Sequence, residues 1–270
     1  LKEQAGAAFV EEALALHAPA VIVNCTGFAL ASPGAERGPT PFDGADCPIL
    51  QAVLSGGTFD AWNEGLRGMA PRDIAMNVAL PEVDGRILTR AISFKSARRW
   101  DERTQTNVVR HEPVADRVMW TARLAAAWAR LRNAEVGDRR VALVMANYPN
   151  KDARIGNGVG LDTPASSARI LHTLDAAGYD VSGVPKNGTD LIATLLAGPT
   201  NDLTQRSWKR SDVTLSLESY RERFAALPQA VREAMTERWG EPETDPHVAE
   251  GAFQLAIHRW GNVAIGVQPA

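Results

Sequence analysis

Apolar residues in the first part of the chain shift from helical spacing to short continuous runs. Residues 9–16 place apolar side chains on one helical face, and Pro19 ends that pattern. Two uncharged runs follow at residues 20–23 and 49–54, and their lengths are typical of buried strands. The pattern predicts a helix and then two strands, which are separated by a surface loop over residues 32–46.

The pattern changes again around a Pro-Glu-Val-Asp-Gly-Arg element at residues 81–86. Pro71 suits the first turn of a helix that contains residues 73–78, and this helix is expected to stop near Pro81. Residues 87–94 alternate with period two, which predicts a strand. Glu82 is accordingly expected in a loop between this helix and this strand.

The rest of the chain alternates helical and strand patterns. Residues 96–107 are polar and lack periodicity, whereas residues 114–131 carry the apolar face of an amphipathic helix. The apolar run at residues 141–146 is typical of a parallel strand that is covered on both faces. Further helices are predicted after Pro164 and at residues 190–196, 217–226 and 230–239, and a last strand is predicted at residues 263–267.

These elements predict an α/β fold with two sheet-containing units and flanking helices. The first unit is assigned to residues 1–110, a bridging helix to residues 111–137, and the second unit to residues 138–270. A chain of 270 residues is long enough to form two such cores.

Composition narrows the class of protein. Fractions of 45% hydrophobic and 23% charged residues are ordinary for soluble globular proteins, and no apolar run approaches the roughly 20 residues of a membrane-spanning helix. The chain opens without a methionine or a secretory-signal pattern, and its two cysteines suit a reducing compartment, so a cytoplasmic location is expected. A net charge of -3 argues against nucleic acid as a partner.

Glu82 and Asp84 are the first candidates for chemistry. One residue separates them, so their carboxylates are expected on the same side of an extended loop, where mutual repulsion would favour proton uptake by one of them. Carboxylates can accept protons and can bind hard or borderline metal cations. The alternative is a plain turn at Asp84 with Glu82 exposed to solvent.

Residues 86–110 form a locally basic stretch in an acidic chain. The basic residues are Arg86, Arg90, Lys95, Arg98, Arg99, Arg103 and Arg110, against only two acidic residues, Asp101 and Glu102. Arginine forks bind carboxylates through paired hydrogen bonds, so Arg86 and Arg90 are candidates for holding an anionic ligand. The alternative for the outer arginines is a solvated basic face.

Glycines occupy alternate positions in residues 156–160, between a predicted strand and a predicted helix. Backbone N–H groups of such a loop can hold an anion. The spacing matches neither the dinucleotide fingerprint nor a Walker motif, so the chain is not expected to bind a nicotinamide cofactor or ATP itself. The alternative is a tight turn that lets a helix approach the sheet closely.

Histidine and cysteine do not form a metal-binding pattern. The five histidines are scattered, and none belongs to a Cys/His cluster of the kind that holds zinc. Cys25 and Cys47 are expected as small buried residues. A Gly-x-Ser-x-Gly nucleophile motif is absent from the sequence, which argues against an acyl hydrolase.

Four segments in order resemble the large, tetrapyrrole-binding subunit of ATP-dependent cobaltochelatases. They are Asn-Cys-Thr-Gly-Phe at residues 24–28, Cys-Pro-Ile-Leu-Gln at 47–51, the segment 73–87 with its Pro-Glu-Val-Asp-Gly-Arg element, and Ala-Asn-Tyr-Pro-Asn at 146–150. The resemblance spans nearly the whole chain and extends, more distantly, to the large subunit of magnesium chelatase. It implies that the chain is a central section of a longer protein.

The resemblance implies cobalt insertion into hydrogenobyrinic acid a,c-diamide during aerobic cobalamin synthesis, driven by ATP and magnesium on separate AAA+ and adaptor subunits. Cobalt is then a substrate ion, and the partners are a corrin-type tetrapyrrole and the ATPase subunits. At matching positions, Glu82 is implied as the catalytic carboxylate that accepts protons or transiently binds cobalt. The implied substrate pocket contains Asp84, Arg86, Asn147, Asn157 and Asp162, to which the basic stretch adds Arg90. The section alone is expected to be inactive.

Two other function classes fit the same patterns. The section could be a scaffold whose helices dock the ATPase subunits and whose glycine loop only shapes the fold. Two α/β units joined by a helix are also compatible with a receptor for a sugar or a nucleotide.

Overall fold

Two units follow one another along the chain, residues 1–133 and residues 134–270. The computed structural model describes residues 4–31, 40–148, 151–205 and 209–269. Both units combine strands with helices, so the predicted α/β class is confirmed. The first unit ends with the helix Ala115–Asn133, which the sequence pattern assigns to a separate bridge over residues 111–137. Of the loop predicted over residues 32–46, residues 32–39 lie outside the described part.

The first unit contains five α-helices and four strands among its described residues. They are α1 (Gln4–His17), β1 (Ile22–Asn24), β2 (Ile49–Ser55), α2 (Phe59–Glu64), α3 (Pro71–Ile74), α4 (Leu80–Val83), β3 (Ile87–Asp101), β4 (Thr106–Pro113) and α5 (Ala115–Asn133).

The sheet of the first unit has the strand order β1-β2-β3-β4. Strands β1, β2 and β3 are parallel, and β4 pairs with β3 in the antiparallel direction. The three strands predicted from apolar runs and alternation are confirmed. Residues 96–107, for which the sequence shows no periodicity, form the outer part of the β3-β4 hairpin. Six of the eight β4 side chains are exposed, so this strand has no apolar face for a pattern to show.

The core of the first unit lies between the sheet and its helices. Val53 of β2 and Phe94 of β3 are fully buried, and Trp62 of α2 packs on the Phe94 ring at a centroid distance of 5.2 Å. Helix α5 is tied to β3 by Arg117, whose Nε donates a hydrogen bond of 2.6 Å to the Ala91 carbonyl. Burial of these large apolar side chains is the main source of stability here.

One continuous helical path runs from α3 to α4, and Pro81 does not end it. Between the two helices, Ala75–Ala79 forms a π-helical turn, in which the Leu80 N–H bonds to the carbonyl five residues earlier. A proline in a regular helix clashes with the carbonyl four residues before it, and the wider π turn accommodates the ring. Glu82 therefore lies on the last helical turn and not in the loop that the sequence predicts.

The second unit contains two small sheets and four α-helices among its described residues. Its elements are β5 (Val141–Met145), α6 (Thr163–Ala176), α7 (Gly188–Ala197), β6 (Thr214–Ser216), α8 (Leu217–Ala225), α9 (Gln229–Trp239), β7 (Val248–Ala249), β8 (Ala252–Gln254), β9 (Ile257–Trp260) and β10 (Val263–Val267). The strand orders are β5-β10-β9 and β6-β8-β7.

The core of the second unit is built on β10, which pairs in parallel with β5 and antiparallel with β9. Val263 and Ile265 of β10 are fully buried against Leu171 and Leu191 of helices α6 and α7. The expectation that β5 is covered on both faces was wrong. Strand β5 lies at the sheet edge, and Val144 is 70% exposed. The strand pattern fits β10, the central strand, instead.

Among the residues that the structure describes, no helix combines the length and the apolar character needed to cross a membrane.

Candidate functional site

An open cleft of about 720 Å³ lies in the first unit, beside the last turn of α4. Its wall includes Ile49 and Ile87, the first residues of β2 and β3, so the cleft lies at the amino ends of these strands. This position differs from the usual one, because parallel sheets usually bind ligands at the carboxyl ends of their strands. The remaining lining residues are Phe42, Asp43, Asp46, Cys47, Pro48, Glu82, Val83, Asp84 and Gly85.

Glu82 is exposed and lines this cleft. Helix α4 ends directly after it, since the Pro81 and Glu82 carbonyls accept hydrogen bonds from the Asp84 and Gly85 N–H groups. Gly85 has a φ of 75°, which turns the chain into β3. Within the described ranges, the Glu82 carboxylate has no hydrogen bond or ion pair, so it is available to a ligand or a proton.

Asp84 also lines the cleft, but its carboxylate is buried and paired with Arg86. Its side chain and that of Arg86 are each 1% exposed, and Arg86 Nη2 lies 2.6 Å from Asp84 Oδ2. The Asp84 carboxylate also accepts hydrogen bonds from the Leu30 and Ala31 N–H groups at 2.8 and 2.9 Å. The expected pair of carboxylates facing one side is therefore wrong, because the helical turn leaves Glu82 outside while Asp84 turns inward.

Arg86 belongs to a buried polar network at the carboxyl end of β1. Its Nη1 donates to the Thr26 carbonyl at 3.3 Å, and the same carbonyl accepts hydrogen bonds from Asn24 Nδ2 and Gln51 Nε2. Asn24 also donates to Gln51 Oε1 at 2.6 Å. An Arg86 fork on a substrate carboxylate would require this network to open, so the structure gives Arg86 a positioning role.

The segment after β1 packs directly on the π-helical turn. The Phe28 N–H donates a hydrogen bond of 2.7 Å to the Met76 carbonyl. A Cβ atom at Gly27 would lie 3.0 Å from that carbonyl oxygen and 2.7 Å from Asn77 Oδ1, so only glycine allows this approach. The segment and the helix that presents Glu82 are thereby held together.

The amino end of the same helix is fixed to the carboxyl end of β2. The buried Asp73 carboxylate accepts hydrogen bonds from Ser55 Oγ at 2.7 Å and from the Gly56 N–H at 2.8 Å. Sequence reasoning missed the roles of Asp73, Asn24 and Gln51. A polar residue inside an apolar run, as Gln51 is within residues 49–54, was the signal that could have indicated a buried network.

The lining of the cleft is acidic and holds one thiol. The Asp43 carboxylate accepts hydrogen bonds from the Thr40 N–H and hydroxyl groups. Asp46 Oδ2 lies 3.6 Å from Arg132 Nη2. Burial raises the pKa of the Cys47 thiol, Asp46 adds to this increase, and Arg132 opposes it. An acidic lining attracts cations and can accept protons. In the described part of the chain, no three His, Cys, Asp or Glu residues are arranged to hold a metal ion.

Arg90 lies outside this lining. Its guanidinium stacks on the Trp120 ring of α5 at 3.9 Å from the ring centroid. This stacking holds β3 and α5 together, and the structure does not place Arg90 in the cleft with Glu82 as the sequence suggests.

The second unit places its three predicted residues in different settings. Asn147 is buried and forms an isolated β-bridge with Ile155, whereas Asn157 is exposed. Asp162 is the N-cap of α6, and its carboxylate accepts a hydrogen bond of 3.0 Å from the Ala165 N–H. The start of α6 thus already has an acceptor, which favours the structural interpretation of the glycine loop over anion binding.

Gly156 explains why this loop is rich in glycine. It has a φ of 71°, and a Cβ atom there would lie 2.5 Å from Met145 Cε and 3.3 Å from Pro164 Cδ. The loop therefore packs directly against the end of β5 and the start of α6.

Comparison with known proteins gives consistent matches over the chain. A family model described as CobN/Magnesium Chelatase matches residues 2–270. The chain is 48% identical over 253 residues to the aerobic cobaltochelatase subunit CobN of a Sinorhizobium species, covering 94% of this chain and 20% of that protein. It is 46% identical over 270 residues to the aerobic cobaltochelatase subunit CobN of Pseudomonas aeruginosa, covering 100% of this chain and 22% of that protein.

A solved structure has the same fold. The catalytic subunit of cobaltochelatase from Mycobacterium tuberculosis superposes with a TM-score of 0.75 and 30% sequence identity, covering 95% of this chain and 22% of that chain. The chain thus spans about a fifth of the length of these relatives. These matches confirm the resemblance found in the sequence.

Proposed function

Because the chain belongs to the CobN/magnesium chelatase family, we propose that it is a section of the large subunit of an ATP-dependent cobaltochelatase. The whole protein would insert cobalt into hydrogenobyrinic acid a,c-diamide in aerobic cobalamin synthesis, in the cytoplasm. ATP and magnesium would act on separate AAA+ and adaptor subunits, and this section would contribute part of the site for the corrin.

The position of Glu82 carries this proposal. An exposed carboxylate without a partner among the described residues faces a cleft whose volume, about 720 Å³, is within the range of small-molecule sites. The helix that holds Glu82 is fixed at its start by Asp73 and packed in the middle against the segment after β1. A carboxylate on such a support keeps its position when a ligand enters.

Metal insertion requires the chemistry that Glu82 offers. As Co²⁺ binds the ring nitrogens, the two N–H bonds of the tetrapyrrole break, their electron pairs bind the metal, and two protons leave. Glu82 would accept these protons one at a time and pass each to water, since its side chain is exposed. Glu82 and the acidic lining would also attract the incoming Co²⁺, for which carboxylate oxygen is a suitable transient ligand.

The other predicted residues divide into three groups under this proposal. Asp84 and Arg86 are buried and would position the segments around the cleft, and Asn147 is buried in the second unit, where it would position the segment that it bridges at Ile155. Asn157 is exposed and is the side chain of the second unit that we propose for substrate contact. Asp162 caps α6, and Arg90 supports the β3-α5 contact.

Replacing Glu82 tests the proposal in the full-length protein with its ATPase partners. Glu82→Gln keeps the side-chain volume but removes the acceptor charge, so we expect cobalt insertion to fall by about 100-fold or more while the corrin still binds. Glu102→Gln makes the same change at another exposed residue, in the β3-β4 turn, and is the matched control that should leave insertion unchanged. Unchanged insertion by Glu82→Gln would remove this residue from the reaction.

A further inference from the structure

The outer part of the β3-β4 hairpin, residues 95–111, forms an arm whose role the chelatase proposal does not explain. At its base, the Lys95 N–H donates a hydrogen bond of 2.9 Å to the Gly57 carbonyl. At its tip, the Asp101 carboxylate accepts hydrogen bonds from the Arg103 and Thr104 N–H groups. The arm is therefore a regular β-hairpin whose two strands have a fixed register.

Strand register places one set of side chains on the same face of this arm. Lys95 pairs with His111, and Trp100 pairs with Asn107. A bulge between Ala97 and Arg99 shifts the register, so that Trp100 lies on the same face as Val109. We call this set the open face, and its members Lys95, Trp100, Asn107, Val109 and His111 are all exposed.

The arm combines exposed apolar area with positive charge. Trp100 is 48% exposed and Val109 is 53% exposed. In the described part of the chain, neither Lys95 nor Arg110 on the opposite face forms an ion pair. Residues 95–111 hold five Lys or Arg against two Asp or Glu, a net charge of +3, whereas the whole chain has a net charge of -3. The arm is thus the place where an acidic partner would be attracted.

The arm also offers backbone hydrogen bonds. Strand β4 is the last strand of its sheet in the described residues, so its outward N–H and C=O groups are available to an added strand. An extended acidic peptide would obtain hydrogen bonds from this edge, charge pairing with Lys95 and Arg110, and apolar contact with Trp100 and Val109.

We propose that the outer edge of β4 docks an acidic polypeptide segment, which adds as a strand and whose alternate side chains reach the open face and Arg110 on the opposite face. This inference does not depend on the chelatase proposal, because it uses the register, exposure and charge of the arm alone. A nucleic acid would gain the electrostatic attraction of the arm but could not pair with β4 as an added strand.

Binding of the acidic copolymer poly(Glu,Tyr) to the 270-residue chain tests the docking surface. We expect the double variant Lys95→Glu/Arg110→Glu and the variant Trp100→Ala each to weaken binding by about tenfold. Arg169→Glu and Trp239→Ala change exposed residues of the second unit and are the matched controls, for which the dissociation constant should stay within about twofold.

Hydrogen exchange on the unchanged chain supplies a second measurement. The copolymer should slow exchange of β4 amides relative to those of the β6-β8-β7 sheet, and circular dichroism should show that all variants keep their fold. Absent binding, equal losses in the controls, unchanged β4 exchange, or tighter binding of oligothymidylate would each overturn the proposal.

Discussion

At Asp84, one carboxylate accepts hydrogen bonds from a guanidinium and from two backbone N–H groups of a distant segment. Two residues earlier, Glu82 has no such partner in the described part of the chain and faces the cleft. The sequence shows that both residues are acidic, but it does not show which of them is buried. That distinction depends on how the turn at Gly85 directs Asp84 towards the distant segment at Leu30, which is a tertiary contact.

Removing the Asp84 carboxylate should destabilise the first unit. Asp84→Ala leaves Arg86 buried without its counter-charge and frees the segment at Leu30, so we expect a loss of about 3–5 kcal/mol in the free energy of unfolding. Denaturant titration measures this change, and Glu102→Ala should stay within about 0.5 kcal/mol of the unchanged protein. A similar small effect of Asp84→Ala would show that the pair does not hold the site.

The thiol of Cys47 reports on the same cleft. Because burial raises its pKa above the ordinary value of 9.0, the reactive thiolate is scarce near neutral pH, and alkylation should still accelerate as the pH passes 9.0. Cys25→Ser makes Cys47 the only cysteine for this measurement. Asp46→Asn removes a charge that contributes to the raised pKa, so its rate profile should move to lower pH. A rate plateau below pH 9.0 in the protein with Asp46 intact is incompatible with a raised pKa.

At the scale of elements, the sequence predicted those whose apolar pattern matches their burial. Strand β2, β10 and helix α6 were found because each buries a regular set of side chains. Strand β4 was missed because it is exposed, and the small β6-β8-β7 sheet was missed because its strands have only two or three residues. The predicted helix ended too early, near Pro81. The apolar periodicity of the sequence does not reveal the π-helical turn that accommodates this proline.

The glycine loop gives an element-scale prediction with an internal control. Gly156→Ala should lower the free energy of unfolding by about 1–2 kcal/mol because alanine is strained at this positive φ. The contact of the new Cβ atom with Met145 should lower it by about a further 1–3 kcal/mol. Gly160 has a similar φ of 74° but open space around it, so Gly160→Ala should lose only the first amount. Equal losses at the two positions would contradict the packing role of Gly156.

At the scale of the molecule, the ordered motifs predicted the family, whereas the environment of each candidate site residue was harder to predict. A resemblance spread over nearly the whole chain does not depend on any one predicted element, because each motif contributes to it independently. A site depends on a few side chains whose exposure follows from the complete fold. Glu82 remains the central candidate because the fold leaves it exposed in a cleft, while the same fold buries Asp84 and Arg86.

A structure of the full-length protein with the proposed corrin substrate bound is the most direct test of the role proposed for Glu82. We predict the macrocycle in the cleft lined by Glu82, Ile49 and Ile87, with the Glu82 carboxylate within hydrogen-bonding reach of a ring nitrogen, directly or through one water. A macrocycle bound elsewhere, with this cleft closed by other parts of the protein, would contradict the proposed role of Glu82.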